Sequence, residues 1–173
     1  MSETLSASAN VIPVGIGELH ATDQHDIELV AYGLGSCVGV VVYDEATRAG
    51  GMVHVLLPER SWGCEPPKSP DGPARYADTG IRKLLDRVAG LGASRRRLVA
   101  KIAGGARMFQ IPAGMDALDI GVRNAEAVRA ALAETGVPIV AQDVGGTVGR
   151  TMRYLVGPGK VYVRGPGLAE KEL

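Results

Sequence analysis

Cys37 and His54 are the two side chains whose types and spacing could carry nucleophilic chemistry. Cys37 closes the stretch Gly33-Leu-Gly-Ser-Cys37, a flexible turn that runs straight into a valine-rich segment. Glycines at 33 and 35 permit backbone geometry closed to other residues. The N–H groups around Ser36 and Cys37 could then face a developing oxyanion. His54 lies in the next apolar segment. A two- or four-residue turn centred between Glu45 and Ala46 sets Cys37 directly across from His54, with Cβ atoms about 5 Å apart. An odd-length turn, or a bulge at Gly50-Gly51, shifts that register. A thiol beside an imidazole is the simplest activated nucleophile, because the ring accepts the thiol proton and later delivers it to a leaving amine. Both residues also admit a structural reading: Cys37 as a small buried hydrophobe at a strand start, and His54 as a satisfied strand histidine.

The remaining candidates are weaker. His20 and His25 flank a polar turn with Asp23 and Asp26, but no third ligand stands at metal spacing, so a solvated turn is expected and no metal. Arg95-Arg-Arg97 reads as a solvated corner between a helix and a strand. Lys101–Phe109 is a strand running into a glycine-rich loop that carries a basic residue and the only Phe. It lacks the Gly-Lys-Ser/Thr ending of a phosphate-binding loop. It reads either as a tight strand exit or as a wall of the site or a surface that grips a protein partner.

Several elements must position these residues. Val11–Gly17 and Ile27–Tyr32 read as strands separated by the turn Thr22–Asp26. Cys37–Tyr43 reads as a strand covered on both faces, with Met52–Leu57 as its antiparallel neighbour. Residues 58–75 form an irregular, proline-rich loop. Ile81, Leu84, Leu85 and Val88 recur at helical spacing, with Asp78 or Thr79 as cap and Gly90 or Gly92 as stop. Val122, Ala125, Val128 or Arg129, and Leu132 repeat that pattern behind an Asp119 cap, ending at Gly136 and Pro138. Leu98–Ala103 is a strand between the helices; Ile139–Gln142, Thr151–Val156 and Val161–Arg164 follow. The order predicts an α/β fold in which two main helices pack on mostly antiparallel sheet, as one domain over 10–165. Residues 1–9 read as a disordered tail and 166–173 as a C-terminal tail.

Composition agrees with one globular domain: 173 residues, 46% hydrophobic and 22% charged. Nineteen basic residues balance nineteen acidic ones, which removes any bulk pull toward nucleic acid or anionic membrane. Aromatics at 4% are too few for a single-strand stacking platform. No apolar run is long enough to span a bilayer, and the start lacks the basic and apolar regions of a secretory signal. Cys37 and Cys64 have no C-x-x-C spacing, so reduced thiols in a cytoplasm are expected rather than a disulfide between them.

Taken together, Gly33–Asp44, Gly50–Pro58, Arg75–Asp78, Lys101–Phe109 and Ile120-Gly-Val-Arg-Asn-Ala-Glu126 resemble the CheD family of chemoreceptor glutamine deamidases. They recur in family order from about Val11 to Arg164. The resemblance implies an α/β sandwich related to glutamine-deamidating bacterial toxins. It implies Cys37 as nucleophile and His54 as base, forming a thioester without metal or organic cofactor. Its implied substrates are glutamine side chains of methyl-accepting chemoreceptors, with receptor methylesterase activity and binding of the phosphatase CheC alongside. The family places a Thr six residues before its cysteine, where this sequence has Ala31, whose methyl group cannot orient an imidazole. Ser36, Tyr32 or a backbone carbonyl would then take that part, with Gly35 and Ser36 framing the oxyanion. The rival expectation is a non-catalytic regulator that binds the phosphatase or receptors. A reactive thiol with a depressed pKa would separate the two.

Overall fold

The structure, a computed structural model, describes residues 10–59 and 74–173. The strands are β1 (Asn10–Pro13), β2 (Leu19–Thr22), β3 (Ile27–Leu34), β4 (Val38–Tyr43), β5 (Gly50–Val55), β6 (Val99–Gly104), β7 (Ile139–Val144), β8 (Arg150–Leu155), β9 (Lys160–Arg164) and β10 (Lys171–Glu172). The helices are α1 (Ala77–Gly90) and α2 (Ile120–Glu134). One sheet runs β1-β3-β8-β9-β10, the other β2-β5-β4-β6-β7. The domain is therefore α/β with two helices. Its sheets are mixed: β1 pairs β3 and β6 pairs β7 in parallel, while the other described pairings are antiparallel. The β6–β7 parallel pair follows from the intervening α2, since a helical crossover returns the chain in its starting direction.

Alternation along β4 divides the core in two. Val38, Val40 and Val42 pack with Ile81, Leu84, Leu85, Val128 and Leu132 beneath the helices. Val41 and Tyr43 face the other sheet, where Leu29, Met152 and Tyr154 meet them. A strand buried on both faces needs apolar residues at every position, which is why the valine run is continuous.

Several boundaries differ from the sequence reading. The segment before the first polar turn is two strands, β1 and β2, and they belong to different sheets. The α1 N-cap is Tyr76, with Asp78 inside the first turn, whereas Asp119 caps α2 as expected, accepting the Val122 N–H at 3.2 Å. The buried stripe of α2 is Gly121, Asn124, Ala125, Val128, Ala131 and Leu132, and Val122 is exposed. Arg95, Arg96 and Arg97 are exposed as expected, but Arg97 also has a buried partner. The Arg97 guanidinium grips the buried Asp44 carboxylate at 2.7 and 3.0 Å. Lys101 is buried, with Nζ donating to the Leu173 carbonyl at 2.6 Å, and the end of the chain adds β10 to β9. Residues 1–9, most of the proline-rich loop and Cys64 lie outside the described residues.

Candidate active site

The β4–β5 hairpin carries both candidate residues, and its register corrects the sequence expectation. His54 pairs with Gly39, and Val38 with Val55 is the last pair toward Cys37. Cys37 is thus diagonal to His54, two residues before Gly39, the position directly opposite. The reason lies in the turn. Six residues, 44–49, stand outside the ladder, closed by the Asp44 N–H donating to the Ala49 carbonyl at 3.0 Å. The Asp44 side chain accepts the N–H of Ala46 at 3.0 Å and of Ser94 at 2.9 Å, which stabilises this wider turn. Gly50 and Gly51 are paired, not bulged. Because the displacement is an even number of residues, both side chains stay on one face of the sheet.

That face looks into the space between the sheets. His54 is 2% exposed and reaches across to the first sheet, where Nδ1 lies 3.0 Å from the Val14 carbonyl. A carbonyl can only accept, so Nδ1 carries the proton and Nε2 the lone pair. Nε2 has no hydrogen-bond partner among the described residues, the Cys37 thiol included. Burial lowers the imidazole pKa; the Val14 carbonyl and the charge of Glu18 partly oppose it. Of the partners left open by Ala31, a backbone carbonyl holds the ring. Ala31 itself is buried in β3 opposite Met152, and Tyr32 is 60% exposed, outside the inter-sheet space.

Cys37 is a free thiol, 7% exposed, among the residues packed between the sheets. Burial pushes its pKa up, and its own backbone N–H pulls the other way. The depressed thiol pKa expected of an active site is therefore absent: the resting pair is a thiol and a neutral imidazole. The Gly-rich exit of β6 lies against this residue. Gly105 donates its N–H to the Cys37 carbonyl at 2.8 Å, and Ala106 to the Gly35 carbonyl at 2.7 Å. Gly104 has φ of +116°, and a Cβ there would collide with the Cys37 carbonyl. Ser36 lines a cleft of about 250 Å³ whose walls include Ala106, Met108, Phe109 and Leu118, with Phe109 83% exposed. Met108 lies so close above Gly35 that a Cβ there would press on it at 3.0 Å. Of the segment Lys101–Phe109, residues 106–109 thus wall the cleft that Ser36 lines. A larger groove of about 360 Å³ on the helix layer is lined by Glu59, Asp78, Arg123, Glu126 and Glu134; neither Cys37 nor His54 contributes to it.

Two residues escaped the sequence reading. Val14 acts through its backbone, which leaves no mark on a side-chain pattern. Asn124 is fully buried, and its Nδ2 donates at 2.9 Å to both the Ser36 and the Leu56 carbonyls. Its signal was legible: a polar residue in the middle of an apolar helical stripe. His20 sits on β2 opposite Met52, and no cluster of metal-binding side chains occurs among the described residues.

These features define a class: an α/β domain of two facing sheets and one helical layer that encloses a cysteine and a histidine on the same sheet face. The family described as CheD chemotactic sensory transduction has a model that matches residues 56–165, beginning just beyond His54. A Symbiobacterium thermophilum protein named probable chemoreceptor glutamine deamidase CheD is 50% identical over 160 residues, covering 92% of this chain and 95% of its own. The chemoreceptor glutamine deamidase CheD of Halalkalibacterium halodurans is 41% identical over 165 residues, covering 95% and 99%. This chain belongs to the CheD family. Among solved structures, a Neisseria meningitidis protein of family DUF152 superposes with a TM-score of 0.50 at 13% identity, over 81% of this chain and 65% of that one, a likeness of fold alone.

Proposed function

We propose that this chain deamidates glutamine side chains of chemoreceptors, with Cys37 as nucleophile and His54 as general base. The observation that carries the reading is the fixed tautomer of His54: Nδ1–H is held by Val14, and Nε2 is left bare in a buried site. An unpartnered buried lone pair is costly to a fold, and it is the group a thiol proton requires. In the first step Nε2 takes that proton as the sulfur attacks the carboxamide carbon, with the Ser36 and Cys37 N–H groups facing the oxygen that becomes negative. The imidazolium returns the proton to the nitrogen, ammonia leaves, and a thioester remains. Nε2 then deprotonates a water, which displaces the sulfur and yields glutamate. A receptor methyl ester would follow the same course, with methanol leaving. Cys37 and His54 are not hydrogen-bonded at rest; closing one diagonal step on the same face falls to substrate binding, since such contacts tighten in the Michaelis complex.

The apolar cleft beside Ser36, with Met108 and Phe109 exposed at its rim, suits a protein substrate better than free glutamine. We assign the reaction to the cytoplasm, and the described helices include none long and apolar enough to cross a membrane. CheC as a partner and kinship with deamidating toxins follow from the family reading. The burial and raised pKa of Cys37 favour one rival, a regulator that binds without turnover. Mass spectrometry of a receptor fragment separates them: the amide-to-acid change of about one dalton appears with the wild-type chain and is abolished in Cys37→Ala. Undiminished conversion by Cys37→Ala removes the thiol mechanism, and no conversion by either protein favours the regulator.

A further inference from the structure

We propose that Asn124 is a positioning residue for this reaction: its carboxamide fixes the Ser36–Cys37 peptide so that the Cys37 N–H faces the reacting sulfur and the oxyanion beside it. The inference rests on the deamidase reading of Cys37. At Val38–Val55 the β4–β5 ladder ends and the two strands part. Beyond the fork, Leu56 and Leu57 turn their N–H groups to the Arg75 carbonyl at 2.8 and 3.0 Å, which leaves the carbonyls of Ser36 and Leu56 without ladder donors. Asn124 enters the fork from α2 and donates to both at 2.9 Å. The flipped amide would set its oxygen against two other oxygens, so chemistry fixes the orientation. Oδ1 then has no partner among the described residues although it is buried.

The peptide plane carries the consequence. In a trans peptide the C=O and the following N–H point in opposite directions. Holding the Ser36 carbonyl toward α2 therefore turns the Cys37 N–H toward the sulfur, where it already opposes the effect of burial on the thiol. The neighbouring carbonyls are tied as well, Gly35 by Ala106 and Cys37 by Gly105. Three consecutive carbonyls are thus tied by protein donors. Asn is short, so α2 must come close, and Gly121 allows it: a Cβ there would collide with the carbonyls of Ala106 and Gly105. Asp119 fixes the same end of the helix by binding Arg107 at 2.6 Å.

The test uses the full chain in a Cys64→Ala background and compares Asn124→Ala with Val128→Ala, which opens a cavity on the same buried face of α2. Folded fraction is read by circular dichroism, kcat and KM by ammonia release from a receptor fragment, and the Cys37 pKa by iodoacetamide rate against pH. Asn124→Ala is expected to lose about tenfold or more in kcat with KM within about twofold, and to titrate its thiol at higher pH. Val128→Ala is expected to change only stability. If Asn124→Ala fails to fold, Asn124→Ser, which keeps one donor, is expected to show a smaller shift in the same direction. A folded Asn124 variant with wild-type kcat and thiol titration overturns the proposal. Cys37→Ala in parallel keeps the two readings apart: its retention of turnover refutes the deamidase mechanism, while the alkylation profile still judges the positioning.

Discussion

The Asp44 carboxylate at the turn of the β4–β5 hairpin and two polar groups at its open end are buried in opposite ways. At the turn, Asp44 is fully buried, and its two oxygens accept from Arg97, Ser94 and Ala46. The guanidinium and these N–H groups hold its carboxyl well below the usual carboxylate range. At the open end, His54 Nε2 and Asn124 Oδ1 are both buried and have no partner among the described residues. A satisfied network of this kind specifies a turn. Bare lone pairs at the open end, one on β5 and one on α2, do the reverse, since each subtracts from stability. The contrast assigns shape to one end and chemistry to the other, and it can be tested by breaking each end separately.

The largest effect is expected at the open end. His54→Gln keeps a side-chain N–H for Val14 but has no titratable base, so kcat for ammonia release should fall about a thousandfold, with a folded far-ultraviolet spectrum. A loss of less than tenfold would show that His54 is a structural residue. At the turn end the outcome should invert. Asp44→Asn loses the ion pair and sets an amide N–H₂ among donors. Urea unfolding should show a loss of about 2–3 kcal/mol at neutral pH, while kcat per folded molecule stays near wild type.

The same two residues divide the acid limb of stability between them. An unfolded imidazole binds its proton near pH 6.5, whereas folded His54 resists it because burial depresses its pKa. The unfolded chain takes up the proton first, so stability is lost as pH falls from 6.5 through the folded value. Asp44 stays ionised in the fold well below the unfolded carboxylate value of about 4, so its contribution is complete above that pH and is lost below it. His54→Gln should flatten the upper window and Asp44→Asn the lower, as read from denaturation midpoints at fixed pH steps. Exchange of the two windows would refute the assignment.

This division also explains what the sequence could reveal. Both helices, the Asp119 cap and the double-sided burial of β4 were legible because each depends on local spacing. The hairpin partnership was legible, but its register was not. The turn was centred between Glu45 and Ala46, and the partners of Asp44 that widen it, Ser94 and Arg97, lie about fifty residues away. β2 escaped because Leu-His-Ala-Thr carries no β-branched run, and its pairing with β5 is a tertiary fact. The Val14 carbonyl that holds the His54 ring was out of reach for a different reason: a backbone carbonyl has no residue type. Asn124 could have been singled out from its place on the buried stripe of α2, had that stripe been centred on Gly121 instead of Val122.

The smallest expected effect refines the open end without breaking it. Glu18 is exposed, accepts the Gly15 N–H at 2.9 Å, and raises the His54 pKa through its charge. Glu18→Gln keeps an acceptor for Gly15 and removes only the charge, so the fold of the turn should persist. Without that charge His54 loses its proton more readily, and the acid limb of kcat/KM should move to lower pH by a few tenths of a unit, about what one screened surface charge contributes. The shift should vanish in 1 M salt, where the screening length is about 3 Å. A shift toward higher pH, or one that persists in salt, would mean that Glu18 acts on the ring through the Gly15–Glu18 backbone, and the electrostatic account of the imidazole would have to be replaced by a conformational one.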